Sequence, residues 1–420
     1  MDWRPQSPDE ADRIFQGVGL EERFWSFTWK SGEMKRDSDE RHLDNNLADA
    51  TVLAHAGQTP DPATGALVPP LHMSTTFGRD SEYELIGDYI YSRYQSPTVE
   101  HAEQLLARLE GGADAILFAS GLAAAAAVFD TVESGGHVVA PTIMYHGAQD
   151  WLRRIESRRG IALTLFDATD PDALKGALRK TETSVVWIES PVNPTWDVID
   201  IREAAELAHG AGAILVVDCT VAPPVTTRAL KLGADLVFHS ATKYLNGHSD
   251  LLAGVLVTPE VDELWDELRL VRRLSGGVLG SYDAWMLIRG LRTLPLRFER
   301  SSRSALQIAQ HLEGHPGLEA VLYPGLESHP GHEVASRQMT NGFGGLMSIV
   351  VKGGADAALA VIRRLGVFVP ATSLGGVESL VEHRASVEGP HSKVPPNLLR
   401  LSIGIEDPAD LISDLDQALS

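Results

Sequence analysis

The residues of this chain best placed to do chemistry lie in one run, Ser240-Ala241-Thr242-Lys243-Tyr244-Leu245-Asn246-Gly247-His248-Ser249-Asp250. The run follows a short apolar stretch, 236–238, which reads as a buried strand. A lysine just beyond a buried strand end is unusual, because burying an unpaired ammonium is costly. Making the lysine covalent removes that cost: its amine can form an imine with a carbonyl cofactor. The hydroxyls of Ser240 and Thr242 flank Lys243 and could hold a phosphate on such a cofactor. Taken alone, the stretch fits an ordinary loop lysine equally well.

A second group lies upstream. Residues 213–217 are apolar and end in Asp218, the pattern of a buried strand closed by an acid. Pyridoxal phosphate is a carbonyl cofactor whose ring nitrogen needs an Asp or Arg partner; a carboxylate keeps that nitrogen protonated, so the ring acts as an electron sink. Alone, an Asp in this place is more often a helix cap or a turn residue. An Asp at one strand end and a Lys at the next can face one cofactor from two sides, and the pairing of Asp218 with Lys243 makes the cofactor hypothesis.

Placing both groups requires a sheet, and the chain carries the pattern of one. Its 420 residues suffice for a large core and more than one domain, and 44% hydrophobic residues describe a globular protein. Apolar runs at 115–118, 137–140, 161–166 and 184–188 alternate with helical segments at 121–132, 146–159, 170–179 and 201–211. This predicts an α/β fold with a mostly parallel sheet covered on both faces. A strand at 253–257 and a helix at 261–273 follow Lys243. Near Leu294-Pro295 the alternation gives way to a long helix, 297–313, and then to a strand at 345–351 and a helix at 355–365. We therefore divide the chain into a cofactor domain, 96–294, and a smaller C-terminal α/β domain, 295–420. Residues 49–95 read as an extended arm, since Pro69-Pro70 resists helix and Ser74-Thr75-Thr76-Phe77 favours extended backbone. A helix is expected over 98–110, with Pro97 at its start. Residues 1–48 are charged and Trp-rich without a period, and receive no assignment.

Composition excludes several classes. A net charge of -21 argues against nucleic-acid and anionic-membrane partners. The single cysteine, Cys219, excludes an intrachain disulfide framework and a Cys-rich zinc site, and fits a reducing cytoplasm. No apolar run is long enough to span a bilayer, and the N-terminus lacks signal-peptide features. His137, His239 and His248 show no metal-ligand spacing, so no metal is expected.

Two further sites can be read from residue types. Ala119-Ser120-Gly121 lies between a strand and a helix, where exposed N–H groups bind phosphate well, although small residues also cap helices without a ligand. Arg93 sits among Tyr89, Tyr91 and Tyr94 on the arm; a guanidinium there suits phosphate, and a plain surface arginine is the competing reading.

The run 240–250 resembles the Schiff-base lysine signature of the Cys/Met-metabolism pyridoxal-phosphate enzymes, which include cystathionine γ-synthases, cystathionine γ-lyases and methionine γ-lyases. The resemblance extends from about Val52 to the C-terminus and implies a fold-type-I pyridoxal-phosphate enzyme with the cofactor on Lys243. It implies that Asp218 pairs with the ring nitrogen and that Asn193 donates to the phenolic oxygen, with Glu189 in support. Tyr145 would stack on the ring and shuttle protons. Ser120, Gly121, Leu122, Thr220, Ser240 and Thr242 would complete the cofactor site, mostly around its phosphate. The family's Asp-Asn-Thr is Asp218-Cys219-Thr220 here, which gives Cys219 a packing role near the cofactor. Tyr91 and Arg93 would reach into a neighbouring subunit's site, implying a homo-oligomer, a tetramer built from dimers. Arg400, helped by Ser373, would grip the substrate α-carboxylate.

Two departures bear on the substrate. Family members acting on cystathionine often have Glu where this chain has Thr372, which weakens the case for cystathionine. The segment 383–396 is shorter than usual and carries His383, Arg384, His391 and Lys393, which suggests a different, more basic pocket rim. Ser373-Leu374-Gly375-Gly376 is more similar to γ-acting members than to β-lyases. The resemblance thus implies a transsulfuration-type lyase performing γ-elimination, cystathionine γ-lyase-like. A γ-replacement synthase using an activated homoserine, a methionine γ-lyase and a lyase for an O-linked substrate such as canavanine stay open. The joint presence of Lys243, Asp218, Tyr145 and Arg400 argues against a cofactor-binding protein without turnover.

Overall fold

Two sheets organise the described residues, 47–57, 60–388 and 393–420, of this computed structural model. The first contains β1 (Asp114–Phe118), β2 (His137–Pro141), β3 (Ala162–Phe166), β4 (Thr183–Glu189), β5 (Ile214–Asp218), β6 (Leu236–Ser240) and β7 (Gly254–Thr258). Their spatial order is β1-β7-β6-β5-β4-β2-β3. Strands β2 to β6 pair in parallel, and β7 runs antiparallel to both β6 and β1. The reversal has a simple cause: β6 and β7 are joined by the Lys243 loop with no crossover helix, and only antiparallel neighbours can be joined that way. The mostly parallel sheet read from the sequence is present, with this one strand reversed.

Successive residues of a strand face opposite sides, and both sides are buried here. Ala115, Leu117, Leu215 and Val217 pack with Val99, Leu105 and Leu109 of the helix Pro97–Glu110, and with Ala204 and Ala208 of the helix Ile201–Ala211. Ile116, Phe118 and Val216 pack on the other face with Ala124 and Val128 of the helix Gly121–Asp130, and with Leu152 of the helix His146–Arg159.

The second sheet contains β8 (Leu318–Leu322), β9 (Leu346–Val351), β10 (Val369–Pro370), β11 (Leu380–His383) and β12 (Leu398–Ser402), in the order β10-β11-β12-β9-β8. Met347, Ile349, Leu399 and Leu401 pack against Ile308 of the helix Leu294–Leu312 and Leu411 and Leu415 of the helix Pro408–Leu419. The buried Arg297, on the helix Leu294–Leu312, donates to the carbonyls of Tyr244 and Gly290, each at 2.9 Å. The first of these bonds fixes the backbone one residue beyond Lys243.

Some elements differ from the sequence reading. The arm begins with a helix, Asp49–Ala54, because Val52 and Leu53 are buried; beyond it, isolated bridges such as Thr76 to Tyr91 replace regular strands. The helix expected over 170–179 contracts to Ala173–Ala177, ending where Leu178 turns extended. The helix expected from 297 begins at Leu294, with Pro295 in the first turn, where no N–H is needed. Among the described residues, no helix is long and apolar enough to cross a membrane and no His, Cys, Asp or Glu cluster could hold a metal ion.

Close backbone contact brings the first helix of the sheet to the Lys243 loop. A Cβ on Gly254 would lie 2.3 Å from the Ser120 carbonyl oxygen, and one on Gly121 would lie 2.9 Å from the Ser240 side chain. Gly254→Val is expected to destabilise the protein by roughly 1–3 kcal/mol, because neither partner is a flexible side-chain tip; an unchanged urea midpoint would contradict this packing.

Candidate functional site

Parallel sheets bind ligands beyond the carboxyl ends of their strands. Here Glu189 ends β4 and pairs in register with Asp218, which ends β5, and Asp218 pairs with Phe238 of β6. A cavity of about 300 Å³ opens over these ends. Asp218, Thr220, Ser240, Thr242 and Lys243 line it from the strand ends and the loop after β6. Ser120, Gly121 and Leu122 line it from a helix N-terminus, and Tyr145, Glu189 and Asn193 from the segments beside β4. Thr372, Ser373 and Arg400 line it from the second sheet. All the sequence-derived candidates therefore converge, apart from Tyr91 and Arg93. Those two are exposed on the arm and do not line the cavity; the Arg93 guanidinium lies over the rings of Tyr91 and Tyr94, 5.4 and 5.7 Å from their centroids.

Lys243 donates from Nζ to Ser373 Oγ at 2.9 Å. Burial lowers its pKa to about 8; Arg400 pushes the same way, and Glu382 opposes them. An amine poised there can carry protons near neutral pH. Ser373 has φ of 106°, a strained conformation for a residue with a side chain. Two bonds hold it there: its hydroxyl meets Lys243, and its carbonyl accepts from Arg400 Nη2 at 2.6 Å. Arg400 lies opposite Glu382 in the β11–β12 ladder, and its Nη2 is 2.9 Å from Glu382 Oε2. Burial lowers the Arg400 pKa to about 10, so the guanidinium stays charged.

The opposite side of the cavity is acidic. Asp218 Oδ1 accepts from the Thr220 N–H at 2.9 Å, and Thr220 Oγ1 accepts from the Ser240 N–H at 2.8 Å, tying two strand ends together. Glu189 accepts from the N–H groups of Tyr145 at 3.1 Å and Asn193 at 2.9 Å. Burial raises both carboxyl pKa values, and the charge of Asp218 raises Glu189 further. Such a pair favours a cation between the carboxylates and the cavity.

The residues fit pyridoxal phosphate. Lys243 offers an amine to its aldehyde, Asp218 a carboxylate to its ring nitrogen, and the half-exposed Tyr145 a ring face (43% exposed). The helix N-terminus at Gly121 lies against Ser240, with Thr242 also lining the cavity; this is a dipole end and hydroxyls suited to a phosphate dianion. Asn193 lines the cavity, where its side-chain NH₂ can donate to a ligand oxygen; its side-chain oxygen, an acceptor, is buried without a partner among the described residues. Ser120 Oγ caps its helix by accepting from the Ala123 N–H at 3.1 Å. Cys219 is buried in the core away from the cavity, and burial pushes its thiol pKa up, in keeping with packing.

The rim differs from the sequence reading. Arg384 is buried and lines the cavity. His383 is turned into the fold, with its ring nitrogens 2.6 Å from Ser386 Oγ and the Pro396 carbonyl. Lys393 is exposed and outside the cavity lining, and His391 lies outside the described residues. Glu382 was missed altogether, because its role arises from cross-strand register rather than from any local motif. His146 also lines the cavity, its Nδ1 buried without a partner among the described residues.

The chain is similar to known proteins over most of its length. The family described as "Cys/Met metabolism PLP-dependent enzyme" matches residues 50–420. A cystathionine γ-synthase of Mycobacterium bovis is 44% identical over 376 residues, covering 88% of this chain and 96% of that protein. A cystathionine γ-lyase of Dictyostelium discoideum is 40% identical over 385 residues, covering 89% of this chain and 98% of that protein. The crystal structure of metB from Corynebacterium glutamicum superposes with a TM-score of 0.86 at 39% identity, covering 90% of this chain and 99% of that one.

Proposed function

The chain belongs to the Cys/Met-metabolism pyridoxal-phosphate-dependent enzymes, and from that premise we propose that it breaks the bond between Cγ and a heteroatom of an L-amino acid, by γ-elimination. The observation that carries this is the one cavity joining Lys243 to Asp218 on one side and to Ser373 and Arg400 on the other. Pyridoxal phosphate, when bound, supplies an aldehyde that condenses with amines and a protonated ring that accepts the electrons of a broken Cα bond.

The chain's own residues do the rest. Arg400 binds the substrate α-carboxylate through paired N–H donors, and Ser373 steadies it. Asp218 holds the proton on the ring nitrogen, and Asn193 donates toward the phenolic oxygen. The N–H groups at Ser120, Gly121 and Leu122, with Ser240, Thr242 and Thr220, hold the phosphate end. Lys243 takes the proton from Cα and moves a proton at Cβ, its lowered pKa matching that task. Tyr145 stacks on the ring and gives a proton to the departing heteroatom. Tyr91 and Arg93 bind the phosphate end of a neighbouring subunit's site in a homotetramer, which accounts for two conspicuous side chains standing outside their own cavity. A cytoplasmic location belongs to the same reading.

A second reading, γ-replacement by a thiol after the same bond cleavage, is favoured by the likeness to proteins named cystathionine γ-synthase. A substrate panel separates the two. Cystathionine, methionine, canavanine, O-acetylhomoserine and O-succinylhomoserine are offered to the loaded protein with and without cysteine. Keto acid and ammonia from one substrate alone are expected for elimination. Product only in the presence of cysteine moves the protein to replacement, and no product from any γ-substituted amino acid ends both readings.

A further inference from the structure

The cavity holds a second guanidinium that the reading above leaves without a task. Arg384 opens the short helix Arg384–Glu388 directly after β11, and its side chain is only 3% exposed, yet it lines the same cavity as Lys243 and Arg400. Its Nη1 donates to Glu382 Oε2 at 3.0 Å and its Nη2 to Glu388 Oε1 at 2.6 Å. The same Glu382 oxygen lies 2.9 Å from Arg400 Nη2. One carboxylate oxygen therefore holds two guanidinium groups side by side, and Glu382 itself stays out of the cavity lining.

Burial works against the charge of Arg384, but Glu382 and Glu388 outweigh it and hold its pKa above the ordinary value. The cation is thus permanent. A guanidinium carries five N–H donors, and these bonds engage only part of them. Nε of Arg384, like Nε of Arg400, is buried with no hydrogen-bond partner among the described residues. An unmet buried donor costs stability unless a ligand meets it. Lys243, Arg384 and Arg400 line the side of the cavity opposite the carboxyls of Glu189 and Asp218, so an anionic group is drawn to that side. One α-carboxylate occupies only one of the two guanidinium groups.

We propose that Arg384 is a specificity-determining residue that binds a second acidic group, carried on the γ substituent of the substrate, while Arg400 takes the α-carboxylate. The inference rests on the γ-acting reading above. The ligand class is an L-amino acid whose γ substituent ends in a carboxylate or a phosphate, both of which a planar guanidinium grips through two donors. Glu382 and Glu388 are the groups that orient the fork, and Glu382 couples it to Arg400.

The test compares the loaded wild-type protein with Arg384→Gln and Arg384→Lys. Binding of two non-reacting amino acids, L-2-aminoadipate and the neutral L-norleucine, is followed through the cofactor's absorbance. Arg384→Gln is expected to weaken aminoadipate roughly ten- to a hundredfold and norleucine less than about threefold, with Arg384→Lys in between. In turnover, kcat/KM of Arg384→Gln is expected to fall for O-succinylhomoserine or O-phosphohomoserine and to hold for O-acetylhomoserine; whichever acidic ester the wild type prefers identifies carboxylate or phosphate. Equal losses on the acidic and neutral member of each pair would mean that Arg384 only supports Arg400, and overturn the proposal, as would no loss on either. If the wild type cleaves no γ-substituted amino acid, ester or thioether, the γ-acting reading fails, and the ratio of aminoadipate to norleucine binding still decides the role of Arg384.

Discussion

Lys243→Ala is expected to reduce turnover by roughly 10⁴-fold or more and to abolish the visible absorbance that a pyridoxal cofactor acquires when joined to a lysine. The size follows from two losses at one atom. Nζ is the amine that anchors the cofactor aldehyde, and it is the base placed to move protons at Cα and Cβ. Lys243 is the only lysine among the described cavity residues, and the guanidinium groups of Arg384 and Arg400 stay charged. The loss is expected in kcat more than in KM, since Arg400 and Ser373 remain to bind the α-carboxylate. Release of the Ser373 hydroxyl from its 2.9 Å bond also removes one of the two contacts on a strained residue. Steady-state kinetics and an absorbance spectrum check both parts, and full turnover in the variant would sink the mechanism.

Asp218→Asn is expected to act in opposite directions on activity and on stability. Activity should fall roughly 10²- to 10³-fold, because an amide cannot hold the ring nitrogen protonated. At pH 6 and above, the cofactor-free variant should be more stable than the cofactor-free wild type. Burial raises the Asp218 pKa in the folded chain, so between the ordinary carboxylate range and the raised value the folded state binds more protons than the unfolded state. Stability then falls as pH rises through that window. The Asp218 pKa is raised to about 6 and the neutral amide of the variant carries no such penalty, so the gap between variant and wild type should widen from about pH 4 to about pH 6 and hold above it, on the order of a few degrees in Tm. A cation against the carboxylate cancels the penalty, so loading the cofactor should close the gap. Parallel thermal profiles with and without cofactor would refute this account.

The sheet was legible because its strands are apolar runs separated by helices of suitable length, and the Lys243 and Asp218 pairing was legible because Asp218 ends one strand and Lys243 lies in the loop three residues past the end of the next. Val237 and Asp218 each carry that signal in their immediate neighbours. The reversed direction of β7 went unread: a short apolar run has no polarity along its length, and the one signal was the lack of a helix between 240 and 253. The helix Asp49–Ala54 was hidden by the proline-rich stretch after it. Arg384 was seen as a rim charge because sequence shows charge but not depth; its burial depends on Glu382 and Glu388, which meet it through the turn that follows β11. Glu382 gave no signal at all, since its pairing with Arg400 is set by the register of two strands separated by a loop. Tyr91 and Arg93 come from the family resemblance rather than from residue type, and a single chain leaves them facing outward.

The shared oxygen of Glu382 has a consequence for how this pocket can change over generations. Replacing Glu382 first leaves two buried guanidinium groups repelling each other; replacing Arg384 first takes a cation away from Glu388 and leaves Glu382 to Arg400. Each single step is uphill, while removing an acid and a base together costs much less. The charge of the substrate end is therefore inherited as a block of four positions, Glu382, Arg384, Glu388 and Arg400, and a lineage can retune it only by paired replacements or by passing through a weakened intermediate.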